Sequence, residues 1–113
     1  MAAANYDLTI DQGTTFAIDI TINEAGSVKD LSGYSARAQM RSTKTATSVA
    51  ASFTCTVLSP ATQGKVKMEL APATTSAMTA GVYFYDLEIF TSGDNIVKRL
   101  IEGKVTLNQE VTR

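Results

Sequence analysis

Apolar and polar residues alternate with a period of two along most of this chain. The clearest case is residues 14–22, where Phe16, Ile18, Ile20 and Ile22 fall on one side of an extended backbone. Strands with one face on a core and one face in water produce this pattern. The same alternation predicts six further strands, over residues 6–10, 34–42, 51–58, 64–70, 81–90 and 96–111. We therefore expect an all-β protein.

A short helical turn is predicted between two of the strands, and local irregularities are predicted within the last one. Residues 72–78 begin with proline and are too few for more than one helical turn. The inward-facing set changes parity between Val97 and Ile101 in the last strand, which predicts a β-bulge near Arg99 or Leu100. Gly103, inside the same strand, indicates a bulge or a close backbone contact. Seven short strands in this length favour an immunoglobulin-like antiparallel β-sandwich, with a small barrel as the alternative.

The sixth strand begins with two tyrosines, Tyr83 and Tyr85, directly after the predicted helical turn. Sandwich domains often place a tyrosine at this position, and its hydroxyl donates a hydrogen bond back to the preceding turn. We expect one of the two to do so.

Length and composition indicate one domain. The 113 residues, read as a single domain over 1–113 with possible flexible arms at 1–5 and 108–113, suffice for one core. Charged residues make up 19% of the chain, below the usual quarter or so, which favours some surface intended for contact. The net charge of -1 and the scattered basic residues argue against nucleic acid as a partner. The sequence has neither a signal peptide nor a long apolar run, so we expect synthesis in the cytosol and no membrane partner.

The residues that enzymes and metal sites need are scarce. Histidine is absent, which removes the usual general base and most zinc and iron ligand sets. The single cysteine, Cys55, lies at an inward strand position and is expected to be a buried structural thiol. Asp86 and Glu88 lie two apart on an outward strand face and are read as solvated carboxylates. The sequence therefore predicts no enzyme, no cofactor and no metal.

Exposed aromatic residues are the candidates for an interface instead. Strand parity directs Phe84 away from the core, and we expect Phe84 and Phe90 to lie on different faces. Tyr34 is the third aromatic candidate. Tyr6 and Arg113 complete the candidate interface residues at the two ends of the chain, since we expect the first strand, 6–10, and the last, 96–111, to be open sheet edges.

Several segments together resemble small virion proteins of tailed bacteriophages, similar to the N-terminal immunoglobulin-like domain of phage baseplate upper proteins. The segments that carry the resemblance, in chain order, are residues 12–16, 30–37 with 40–41, 80–87, 99–107 and 110–113. The resemblance implies a structural subunit that docks onto neighbouring virion proteins, and it implies no catalytic residues. Baseplate upper proteins continue beyond such a domain, whereas this sequence stops at Arg113.

The resulting hypothesis is an assembly or adaptor subunit in the tail, baseplate or neck of a virion. It predicts other virion proteins as partners, a homo-oligomer in a symmetric assembly, and localisation to the virion after synthesis in the host cytoplasm. A capsid decoration protein is one alternative. A carbohydrate- or receptor-binding module is another, and it requires Tyr34, Phe84 and Phe90 to be grouped on one exposed surface.

Overall fold

The computed structural model describes residues 4–24 and 26–111, and this part of the chain is built mainly of β-strands. Alternation of buried and exposed side chains along the longer strands matches the pattern in the sequence, so the all-β prediction is confirmed. The elements are β1 (Ala4–Asn5), β2 (Leu8–Asp11), β3 (Phe16–Thr21), β4 (Asn23–Glu24), β5 (Ser27–Val28), β6 (Ser35–Arg41), β7 (Ala51–Val57), β8 (Lys65–Leu70), α1 (Pro72–Ala77), β9 (Gly81–Phe90) and β10 (Val97–Asn108). None of the described helices is long and apolar enough to cross a membrane.

The long strands form one curled, mixed sheet. Its order is β1-β10-β9-β6-β7-β8-β3, with β2 also paired to β10, while β4 and β5 form a separate hairpin. Strand β7 joins the two halves of the sheet, because its residues 51–53 pair with β6 and its residues 54–57 pair with β8. The strand thus turns the sheet back on itself, and the inner faces of the two halves enclose a common core.

Aromatic contacts connect the two halves across that core. The ring centroids of Phe16 on β3 and Phe53 on β7 lie 6.0 Å apart, and those of Phe53 and Tyr85 on β9 are also 6.0 Å apart. The rings are steeply inclined to one another, and edge-to-face pairs of this kind add to the stabilisation that burial gives. Apolar side chains with almost no exposed surface fill the rest of the core: Ile10, Leu31, Met40, Val66, Met68, Leu87, Ile89 and Val105.

One buried polar side chain, Thr75, ties α1 to the turn between β2 and β3. Its hydroxyl donates to the carbonyl oxygen of Thr14 at 2.9 Å and accepts from the amide of Gly13 at 3.0 Å. A buried hydroxyl with both functions satisfied costs little, and here it fixes the position of the crossover.

Three local predictions are confirmed. The register between β9 and β10 shifts between Arg99 and Ile101, where the bulge was expected. The hydroxyl of Tyr83 donates to the carbonyl oxygen of Thr79, in the preceding turn. Gly103 lies against the backbone of Tyr6, so a close backbone contact explains this glycine.

The prediction that residues 96–111 form an open edge is wrong. Strand β10 lies inside the sheet, with β9 antiparallel on one side and β1 and β2 parallel on the other. Local alternation shows which side chains face the core but not which strand lies alongside, so this parallel pairing was missed. The first strand does lie at an edge, and the opposite edge is β3.

Part of each of the two expected flexible arms is hydrogen-bonded to the rest of the domain. Ala4 and Asn5 pair with β10, and the amide of Glu110 donates to the side-chain oxygen of Gln12 at 2.9 Å. Residues 1–3 and 112–113, including the candidate Arg113, lie outside the described residues.

Candidate interaction surfaces

The outer face of the β6-β9-β10 half carries two of the aromatic candidates. Phe84, Asp86, Glu88 and Phe90 alternate with buried residues along β9, and all four are half-buried on this face. The expectation that Phe84 and Phe90 lie on different faces is therefore wrong. The two positions are six residues apart, an even number, and strand side chains alternate with a period of two.

Ion pairs cover one end of this face. The guanidinium of Arg37 donates to Glu88 at 3.0 Å and to Asp94 at 3.4 Å, and it lies 4.4 Å from the centroid of the Phe90 ring. The guanidinium of Arg99 lies 3.2 Å from the carboxylate of Asp86. At the Phe90 end, cations and carboxylates are therefore matched within the domain.

The carboxyl of Asp86 lies at the centre of this network. Partial burial raises its pKa, the negative charges of Glu88 and Glu102 raise it further, and the nearby Arg99 and Arg41 act in the opposite direction. Desolvation thus outweighs the arginines. Asp86 and Glu88 are not the freely solvated carboxylates that their spacing in the sequence suggested.

Phe84 lies beside three cations that make no direct ion pair with any carboxylate of the described residues. In the strand register, Arg41 of β6 and Lys104 of β10 are its direct neighbours on either side, and the ammonium of Lys44 lies 6.0 Å from its ring centroid. Among the residues that the structure describes, no ion pair involves any of these three cations. Arg41 instead donates to two neutral oxygens, those of Ala46 and the Gln39 side chain, each at 3.1 Å. We call Arg41, Lys44, Phe84 and Lys104 the Phe84 corner.

Two shallow concavities meet at this corner. The larger has a volume of about 570 Å³ and extends from Phe84 toward Glu88, and the smaller, of about 310 Å³, extends toward Asn5 and Asp7. Lys44, Phe84 and Glu102 line both. The concavities together are large enough for a short extended segment of a partner.

The remaining aromatic candidates lie elsewhere. Tyr34 packs against the core, with the ammonium of Lys29 5.2 Å from its ring centroid. It does not share a surface with Phe84, so the three aromatics do not form one platform. Tyr6 is 51% exposed at the β1/β2 edge, where its amide donates to the backbone carbonyl oxygen of Glu102 at 2.9 Å and its carbonyl oxygen accepts from the hydroxyl of Tyr85.

Strand β3 presents the open backbone edge of the sheet. The amide of Ile22, directly after β3, donates to the carbonyl oxygen of Gly64 at 2.7 Å, and the register continues as Ile20↔Val66 and Ile18↔Met68. Hydrogen-bonded and non-hydrogen-bonded pairs alternate in an antiparallel ladder. The N–H and C=O groups of Ala17, Asp19 and Thr21 therefore point away from β8, and they have no backbone partner within residues 4–24 and 26–111.

The core side of β3 is also incompletely covered. Phe16, Ile18 and Ile20 face inward as the sequence predicted, yet each remains half-buried, whereas the equivalent residues of β8 and β9 are buried. The strand thus offers both unpaired backbone groups and apolar surface to a neighbour. Edges of this kind are the usual sites of strand addition.

The edge at the other end of the sheet is less available. The carbonyl oxygen of Asp11 already accepts from the amide and hydroxyl of Thr14, at 3.3 and 2.6 Å. The carboxylate of Asp7 accepts from the amide of Lys104 at 2.9 Å. Local hydrogen bonds and a break between β1 and β2 therefore blunt this edge.

The thiol of Cys55 is half-buried on the inner side of β7, and burial raises its pKa to about 11. A thiol of this kind is protonated at neutral pH and is a poor nucleophile. Within the described part of the chain, no three acidic or cysteine side chains are grouped so that they could hold a metal ion.

Sequence reasoning missed the β3 edge and the Phe84 corner. More than 60 positions separate Arg41 from Lys104 in the sequence. Only the strand register brings both of them beside Phe84. The signal that was present in the sequence is the outward parity of each residue on its own strand.

Comparisons with known proteins bear on the fold. No protein-family model matches the sequence, and no curated protein matches it. Among solved structures, the chain is similar to InlP of Listeria monocytogenes, with 19% identity and a TM-score of 0.50 over 94% of this chain and 28% of that one. It is also similar to a family 123 glycoside hydrolase from Clostridium perfringens, with 10% identity and a TM-score of 0.46 over 97% of this chain and 24% of that one. The chain thus spans about a quarter of the length of each, and the likeness to InlP concerns the fold alone.

Proposed function

We propose that this domain is a structural subunit that joins proteins in a virion of a tailed bacteriophage, in the tail, baseplate or neck, and that it catalyses no reaction. Its partners are other virion proteins, including further copies of itself in a symmetric assembly. The resemblance of the segments described above to phage baseplate upper proteins supports this assignment, and the open β3 edge supplies a physical means of joining.

We further propose that the curled sheet is an immunoglobulin-like sandwich. In this description β10, β9 and β6 form one layer with β1 and β2, and β8 and β3 form the other. Strand β7 changes from one layer to the other at residues 53–54. The tyrosine hydrogen bond from Tyr83 to Thr79 supports this assignment, since such corners recur in sandwich domains.

The observation that carries the functional proposal is the β3 edge. A partner strand would satisfy the backbone groups of Ala17, Asp19 and Thr21 and cover the half-buried side chains beside them. Each such hydrogen bond contributes on the order of 1 kcal/mol, and the apolar surface adds to it. No proline or bulge interrupts this six-residue strand.

The charge of Asp19 disfavours one way in which copies of the chain could join. Two β3 strands paired about their centres would place the Asp19 carboxylates opposite one another, and like charges in that position are destabilising. Pairing of β3 with a different strand of the next copy avoids this contact. Such head-to-tail contacts close into rings when the rotation permits.

The test uses the full chain and two variants of one residue. Asp19→Pro removes the outward N–H without removing a bond to β8, because edge positions tolerate proline, whereas Asp19→Thr keeps the N–H and suits a strand. We expect light scattering to show a defined oligomer for the wild type and for Asp19→Thr. Asp19→Pro should remain folded, as judged by circular dichroism, and should give the 12.0 kDa monomer.

A wild-type chain that remains a 12.0 kDa monomer at every concentration and never co-purifies with particles would contradict the proposal. If Asp19→Pro assembled as the wild type does, the β3 edge would not be the surface that joins the copies.

A further inference from the structure

The outer face of the β6-β9-β10 half is divided electrostatically. At the Phe90 end, Arg37 and Arg99 are each paired with carboxylates of the domain at 3.0 to 3.4 Å. At the Phe84 corner, Lys44 lies 6.0 Å from the ring centroid and Arg41 and Lys104 are the register neighbours of Phe84; none of the three has an ion-pair partner among the described residues. The cations of the Phe90 end are thus neutralised within the domain, whereas those of the corner have no direct ion-pair partner within its described residues, although Arg41 donates to two neutral oxygens.

The arrangement of the corner combines two kinds of recognition. Arg41 and Lys104 flank Phe84 in one row across three neighbouring strands, which places their Cα atoms roughly 10 Å apart with the ring between them. Lys44 approaches the same ring from the loop after β6. Phenylalanine and arginine are typical of the centres of protein interfaces, and cations beside an apolar surface select carboxylates.

The acidic residues near the corner are already engaged. The carboxylate of Asp7 accepts from the amide of Lys104 at 2.9 Å, and that of Glu102 lies 3.9 Å from Arg99. Neither neutralises the side chains of Arg41, Lys44 or Lys104 by a direct ion pair. Their presence within the concavities nevertheless disfavours a long run of phosphates, as does the net charge of -1.

We infer that the Phe84 corner is a docking site for an acidic peptide segment of a partner protein. An apolar side chain of that segment lies against Phe84, and carboxylates on either side of it reach Arg41, Lys44 and Lys104. The two concavities that meet at Phe84 hold the flanking residues. This inference rests on the proposed function as a protein-joining subunit and names the chemistry of one partner.

The test is a titration of the isotopically labelled full chain, followed by amide chemical shifts. The probe is the blocked peptide Asp-Glu-Phe-Asp-Glu, and the matched control is Asn-Gln-Phe-Asn-Gln, which keeps the shape and removes the charge. We expect the acidic peptide alone to shift the amides of Arg41, Lys44, Phe84 and Lys104, with a Kd of about 1 mM or tighter that weakens with salt.

Variants locate the binding to the corner. Lys44→Glu and Lys104→Glu should each lower the affinity for the acidic peptide by about tenfold, since each reverses the charge of one of the three cations. Lys65→Glu makes the same charge change at an exposed position of β8 and should leave binding unchanged. Phe84→Ser should weaken binding of the acidic peptide while the corner keeps its charge.

Absence of shifts at the corner, or equal binding of the neutral peptide, would overturn the inference. So would a short DNA duplex that shifts the same amides at lower concentration than the acidic peptide. The titration requires no assembly, and its outcome is therefore independent of whether Asp19→Pro abolishes oligomers.

Discussion

Replacing Gly103 by alanine tests how closely the first strand lies against β10. An alanine Cβ at this position would lie 2.4 Å from the carbonyl oxygen of Tyr6, 2.8 Å from its carbonyl carbon and 2.9 Å from a carboxylate oxygen of Asp7. The first two atoms belong to the backbone and cannot rotate away. The segment at residues 6–7 must therefore shift outward from β10.

The structure gives the size of the effect. Three hydrogen bonds hold this segment. The Tyr6 amide donates to the carbonyl oxygen of Glu102, the Tyr85 hydroxyl donates to the carbonyl oxygen of Tyr6, and the Lys104 amide donates to the carboxylate of Asp7. Their loss costs about 3 kcal/mol in total, at about 1 kcal/mol each. Alanine offsets about 0.4–1 kcal/mol of this by restricting the unfolded chain. We expect a net destabilisation of about 2 kcal/mol, or a fall in Tm of roughly 8 °C.

Urea unfolding followed by circular dichroism measures this change. Thr106→Ala, at an exposed position of the same strand, is the control and should change the free energy of unfolding by less than about 0.5 kcal/mol. Hydrogen exchange should show faster exchange of the Tyr6 and Lys104 amides in Gly103→Ala. A variant as stable as the wild type, with both amides still protected, would refute the packing argument.

Three further predictions concern single side chains. Cys55, whose pKa is raised to about 11, should react with a maleimide at pH 7 far more slowly in the folded chain than in urea; equal rates would contradict its burial. Tyr83→Phe removes the hydrogen bond to Thr79 and should lower the free energy of unfolding by about 1–2 kcal/mol, whereas Tyr6→Phe, at an exposed ring, should not change it. Because the pKa of Asp86 is raised in the folded state, its contribution to stability is present below about pH 4 and is lost as the pH rises through the folded pKa. Asp86→Asn should therefore gain stability relative to the wild type between about pH 3 and pH 7, and a constant difference in chemical unfolding would argue against the shift.

Local patterns in the sequence predicted the strands and several details within them. Alternation at Phe16, Ile18 and Ile20 identified the inner face of β3, and the change of parity near Arg99 located the bulge. A glycine inside a strand indicated a bulge or a close backbone contact at Gly103, and the structure shows the contact. These features depend on a residue and its immediate neighbours, which the sequence contains.

Features that depend on pairing between distant strands could not be predicted in this way. Nothing in residues 8–11 indicates a parallel partner in residues 105–108, and that pairing moves β10 from the edge to the interior. The division of β7 between two partners is likewise a property of the whole sheet. The Phe84 corner depends on the register of β9 with β6 and on its register with β10. The assignment of Phe84 and Phe90 to different faces, by contrast, was an error of parity that the sequence alone could have corrected.

Amide hydrogen exchange at β3 tests the central claim, that this edge joins the domain to its neighbour. In dilute monomer the amides of Ala17, Asp19 and Thr21 should exchange rapidly and those of Ile18 and Ile20 slowly, since only the latter are bonded to β8. In the assembled protein we expect all five to be protected. An assembly in which Ala17, Asp19 and Thr21 exchange as fast as in the monomer would contradict the account.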